Sequence, residues 1–92
     1  MIQNVKMSKN QVIPKTELTR LCNSARSTWQ YVKFTISNGI YVQITYNKDL
    51  TISIATNSRD LAFYQEVQNL TRVYTQMRVV DMLFRWLPKL NK

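Results

Sequence analysis

The stretch KFTISNGIYVQITYN, residues 33–47, constrains the fold more than any other part of the chain. Apolar residues alternate on both sides of an Asn-Gly pair, the pattern of two half-buried strands joined by a tight turn. A two-residue Asn38-Gly39 loop would pair Ser37 with Ile40, and therefore Phe34 with Gln43 and Val32 with Thr45. Residues directly opposite share a face, so that register divides the apolar set between core and solvent. A three-residue loop, Ser37-Asn38-Gly39, pairs Ile36 with Ile40, Phe34 with Val42 and Val32 with Ile44. Every apolar side chain then falls on one side, and Gly39 supplies the left-handed residue that such a loop needs. The same logic at Asn47-Lys48-Asp49 pairs Tyr46 with Leu50 and Ile44 with Ile52, with Asp49 left-handed.

This register predicts a three-stranded antiparallel meander with two unlike faces. One is apolar throughout. The other gathers Trp29, Tyr31, Lys33, Tyr41, Gln43, Thr45, Thr51 and Ser53. Aromatic rings interleaved with hydroxyls, an amide and a lysine form a stacking platform for unpaired bases, each stacked base contributing about 1–3 kcal/mol. The same residue types are ordinary strand formers, so the platform requires that neither a helix nor a second subunit cover it.

Residues 1–13 carry Lys6 and Lys9, no acid and no clear apolar period, and read as a flexible basic arm with a short strand at NQVI. Beyond Pro14, Leu18, Leu21, Cys22 and Ala25 recur at helical spacing, with Thr16 as N-cap and Glu17 in the first turn. From Ser58 to Leu87 the pattern is helical again, capped by Asn57 or Ser58, with Asp60 in the first turn, a stripe of Phe63, Val67, Leu70, Tyr74 and Met77, and a stop at Pro88. A continuous helix of that length spans about 45 Å, whereas strands of seven residues span about 23 Å. Either the helix breaks or its C-terminal half projects beyond the sheet.

In RVVDMLFRWL the apolar residues Val79, Val80, Met82, Leu83, Phe84, Trp86 and Leu87 cover about 200° of the helical wheel. That is more than one small core absorbs. It points to an interface made by Val79, Val80, Leu83, Phe84, Trp86 and Leu87, with a second copy or a partner groove. A membrane surface ranks last, because Asp81 and the β-branched Val79 and Val80 do not favour it.

Composition narrows the chemistry. Thirteen Lys and Arg against five Asp and Glu leave 92 residues with a formal charge of +8, which favours a polyanionic partner. There is no histidine for proton transfer near neutral pH. Cys22 sits on an apolar stripe, and Glu17, Asp49, Asp60, Glu66 and Asp81 stand singly. No metal-ligand spacing, glycine-rich phosphate loop or nucleophile motif occurs, so neither catalysis nor a cofactor is expected. A single cysteine indicates a reducing, cytoplasmic setting. No run of about eighteen apolar residues exists to span a membrane, and the first fifteen residues lack the apolar stretch of a signal peptide.

The element order, helix, three strands, helix, resembles that of double-stranded-RNA-binding domains. Those domains open their second helix with a lysine cluster, whereas this chain has NSRDLAFYQ there, so the likeness is one of order alone. The fold expected is α+β: a short N-terminal helix, a three-stranded antiparallel meander and a long C-terminal helix, 58–87, packed on one sheet face, in one domain over 14–92. The function expected is non-catalytic nucleic-acid binding, single strands favoured over duplex. Trp29, Tyr31, Lys33, Tyr41 and Gln43 form its contact face, with Arg20, Arg26, Lys6 and Lys9 as phosphate partners. The rival is a small inhibitor or adaptor, of the kind viruses and mobile elements encode, docking through helix 78–87. A homo-oligomer is expected in either case.

Overall fold

The sheet begins with a strand that the alternation does not announce. In the computed structural model, which describes residues 3–91, Gln3–Lys6 forms β1 and pairs in parallel with β2, Tyr31–Thr35. The stretch expected as a flexible arm is therefore a sheet edge over these four residues, and NQVI forms no strand. Met7 and Ile13 follow β1 into the core, which ties the rest of that stretch down. Met1 and Ile2 of the expected arm, and Lys92 at the end of the expected domain, lie outside the described residues. Parallel neighbours need a crossover, and α1, Lys15–Ser27, supplies it. Leu18, Leu21, Cys22 and Ala25 form its buried stripe as expected, while Pro14 takes the N-cap position in place of Thr16.

β3, Tyr41–Tyr46, and β4, Ile52–Thr56, complete a mixed four-stranded sheet in the order β1-β2-β3-β4. The first hairpin has the expected register, Phe34 opposite Val42 and Val32 opposite Ile44. Gly39 takes φ +90° in its three-residue loop, and Ile36 exchanges backbone hydrogen bonds with Ile40 and Gly39. The second turn differs. Tyr46 stands opposite Ile52 and Ile44 opposite Ile54, because the loop is Lys48-Asp49-Leu50 and closes between Asn47 and Thr51. A shift of two residues keeps every side chain on its face. The Asp49 carboxylate accepts from the Thr51 backbone N–H, and Leu50, at φ 70°, is the left-handed residue. Leu50 consequently leaves the core and is 74% exposed.

The C-terminal helix is two helices. α2, Leu61–Arg72, is capped by Asp60, whose carboxylate accepts from the Phe63 N–H. α3, Gln76–Leu90, is capped by Thr75, whose hydroxyl accepts from the Arg78 N–H. The molecule measures 34 Å in its longest dimension, shorter than the roughly 45 Å of an unbroken helix. The break lets α3 turn back onto α1. The expected stripe holds through Phe63, Val67 and Leu70 and fails at Met77, which is 74% exposed. Pro88 lies inside the last turn of α3 instead of ending it. Its missing N–H frees the carbonyl of Phe84, which is on the solvent side of the helix, and burial of Leu87 and Leu90 carries the helix past it.

α1 packs on β2 and β3 and α2 on β4, with α3 against both helices, and the core lies between them and Val32, Phe34, Ile36, Val42, Ile44, Tyr46 and Ile52. Asn91 closes the structure. It is buried, donates to the Ser8 carbonyl at 2.8 Å and accepts from the Ser37 hydroxyl at 3.0 Å.

Candidate nucleic-acid interface and a neighbouring cleft

Because the helices occupy one face, the other is open across four strands. Tyr31, Lys33, Thr35, Tyr41, Gln43 and Thr45 alternate with buried residues along β2 and β3 and are half-buried. The parallel register of β1 adds Asn4 beside Lys33 and Lys6 beside Thr35. The Lys33 ammonium lies 4.6 Å from the centroid of the Tyr41 ring, within cation–π range. Gln43 donates to the Thr45 hydroxyl at 3.3 Å. No strand contains an Asp or Glu.

The carboxylates lie in the helices and turns, and three of them are matched there. Lys15 pairs with Asp81 at 2.9 Å, Arg20 with Glu17, and Arg85 with Glu66. Lys6 and Lys33 make no ion pair among the described residues. The open face thus combines uncompensated positive charge with two tyrosine rings.

Several expected contributors stand elsewhere. Trp29 is not on the strand face. Its N–H still donates to the Arg26 carbonyl and Gln30 donates to Ala25, so the chain is closing α1 when strand alternation would have to begin. Arg20 and Arg26 lie on α1, in the layer behind the sheet, and Arg20 is held by Glu17, whose hydrogen bond raises the guanidinium pKa. Lys9 is exposed in the turn after β1. Lys6 does join Tyr31, Lys33, Tyr41 and Gln43, as part of the sheet instead of an arm. Asn4 was missed as a member of the face, whereas Thr35 follows from the same alternation as Tyr31 and Lys33. Reading QNVK as a strand would have placed Asn4, and nothing in four residues with one apolar side chain marks it as one.

The expected docking surface on residues 78–87 is mostly interior. Val79, Val80, Leu83 and Leu87 are buried in the core, where α3 packs against α1 and α2. The Trp86 indole N–H donates to Glu66, and its ring centroid lies 5.2 Å from that of Phe63. Phe84 remains at the surface, 37% exposed, with the Lys15 ammonium 5.4 Å from its centroid. The wide apolar arc exists because α3 is sandwiched, a consequence of the break before it.

Trp29 instead lines a cleft of about 690 Å³ between the end of α1, the β3–β4 turn and the segment joining α2 to α3. Tyr46 and Tyr74 meet there edge to face at 6.3 Å, and both hydroxyls donate to the Gln76 side-chain carbonyl. Burial pushes the Tyr74 phenol pKa up, and the positive charge of Arg26 opposes it. Behind the cleft, burial pushes the Cys22 thiol up to about 11, with hydrogen bonding to Tyr46 opposing.

Among the described residues no three His, Cys, Asp or Glu side chains gather as a metal site, and no helix is long and apolar enough to cross a membrane. The chain matches no protein-family model, no curated protein and no solved structure.

Proposed function

We propose that the protein binds single-stranded nucleic acid, without catalysis, on the open face of its sheet. The observation that carries this reading is an uncovered, carboxylate-free face on which Lys33 lies over Tyr41 and Lys6 stands one strand away. Every base has a π-face, so Tyr31 and Tyr41 stack unpaired bases with little sequence preference. Lys6 and Lys33 contact phosphates and release counterions, which makes affinity fall with salt. Gln43, Asn4 and the threonines supply hydrogen bonds to exposed base edges. A duplex hides its base faces and so offers Tyr31 and Tyr41 nothing to stack on.

The test is fluorescence anisotropy of a labelled single strand and its duplex, each titrated at two salt concentrations. The reading requires single strands to bind more tightly, with affinity falling as salt rises. The Tyr31→Ala, Tyr41→Ala double variant must lose most of the binding. Equal binding by the double variant would refute it.

A further inference from the structure

The cleft at the end of the sheet is not used by the open face and shares no residue with it. Its volume, about 690 Å³, is in the range of small-molecule sites. Trp29 and Leu50, at φ 53° and 70°, both line it. Left-handed backbone is unfavourable for residues with a Cβ and most unusual for bulky ones. Core packing does not explain either residue, since Trp29 is 42% exposed and Leu50 is more exposed still. The β3–β4 loop and the end of α1 each require a left-handed residue, and at the rim of this one cavity both positions carry a large apolar side chain in place of glycine.

The chemistry of the lining is specific. Arg26 is its one charged residue and makes no ion pair among the described residues. Gln76 is engaged on both sides, accepting from Tyr46 and donating to the Asn23 side-chain carbonyl at 3.0 Å. Among the described residues neither the Asn23 amide N–H groups nor the Trp29 indole N–H has a protein acceptor. The cleft therefore offers aromatic faces, free donors and one guanidinium, with no carboxylate to repel an anion.

We infer that this cleft binds a nucleotide-type ligand, a planar heteroaromatic ring carrying one phosphate. The ring stacks on Trp29, its acceptor edge meets Asn23, and the phosphate pairs with Arg26 in the two-pronged geometry a guanidinium favours. A single substituted ring would leave much of the volume unfilled, and an uncharged nucleoside would leave Arg26 unmatched. This inference does not rest on the function proposed for the sheet face.

The experiment follows the two indole N–H resonances by NMR while the full chain is titrated with adenosine monophosphate, adenosine or inorganic phosphate. Trp86, bound to Glu66 and not among the residues lining the cleft, is the internal control. Adenosine monophosphate is expected to move the Trp29 signal saturably and leave Trp86 in place. Adenosine should bind about tenfold more weakly, the effect of losing one charge-assisted contact. Arg26→Ala should abolish that preference. Trp29→Gly adopts the same φ without strain, so it should stay folded and lose binding in ligand-observed spectra. An unmoved Trp29 signal, equal movement of both indoles, equal affinity for the nucleotide and the nucleoside, or a preference surviving in Arg26→Ala would each overturn the assignment. Oligonucleotide binding by the Trp29→Gly protein reports separately on the sheet face.

Discussion

The Lys33 ammonium stands 4.6 Å from the centre of the Tyr41 ring, across the β2–β3 pairing and on the side away from the helices. In the free protein this contact holds a charge and a stacking surface together. Tyr41→Phe should keep single-strand affinity within about threefold, because the ring face is retained. Tyr41→Ala should cost about 1–3 kcal/mol. Lys33→Gln should flatten the slope of log affinity on log salt by about 0.7. Anisotropy titrations at several salt concentrations check all three.

The two hairpin turns make the same demand for a left-handed residue, and glycine meets it in only one of them. Gly39 has φ +90°, so Gly39→Ala should destabilise by about 1–2 kcal/mol. Leu50 has φ 70° and its side chain is largely in solvent, so Leu50→Gly should stabilise by up to about 1 kcal/mol. Urea denaturation with a common m-value measures both. A stabilised Leu50→Gly protein would show that the rim of the cleft is kept at the expense of stability.

Glu66 on α2 holds α3 by accepting from both Arg85 and the Trp86 indole. Glu66→Ala should lose about 1–3 kcal/mol, because it leaves the indole N–H without its charged acceptor. Trp86→Phe removes the hydrogen bond and keeps a ring on Phe63. If Glu66 acts mainly through Trp86, adding Glu66→Ala to Trp86→Phe should cost less than Glu66→Ala alone, and a double-mutant cycle reads the difference.

Cys22 gives a pH signature. Its thiol is held up to about 11 in the folded protein by burial, whereas an unfolded chain ionises near 8.5. Above that value the unfolded state binds fewer protons, so stability falls as pH rises toward 11. The slope reaches up to about 1.4 kcal/mol per unit. Cys22→Ala should be less stable at pH 7 but show a shallower decline between pH 9 and 10. Equal slopes in the two proteins would rule out a raised Cys22 pKa.

Legibility in the sequence followed range. The faces of β2, β3 and β4 were readable because side-chain period is a local property, and the choice between a two- and three-residue loop at Gly39 followed from which register kept one face apolar. The stripe of α1 was readable for the same reason. Tyr31, Lys33, Tyr41 and Gln43 were placed by that alternation alone. Trp29 was not, because alternation was extended one residue pair into a turn that still belongs to α1.

Three features were decided only by the tertiary structure. β1 exists because α1 returns the chain parallel to it, and no pattern in Gln3–Lys6 records a partner about thirty residues away. The break at Val73–Thr75 sets whether Val79, Val80, Leu83 and Leu87 face a partner or the core, since an apolar arc is the same whatever covers it. By sequence Asn91 is a polar residue beyond the expected end of the last helix, and it becomes a buried tie only where Ser8 and Ser37 converge on it. Local alternation alone set which side of β2, β3 and β4 is apolar, because period needs only neighbours. Which apolar surfaces remain free, and where the charge gathers, depended on backbone pairings between distant segments.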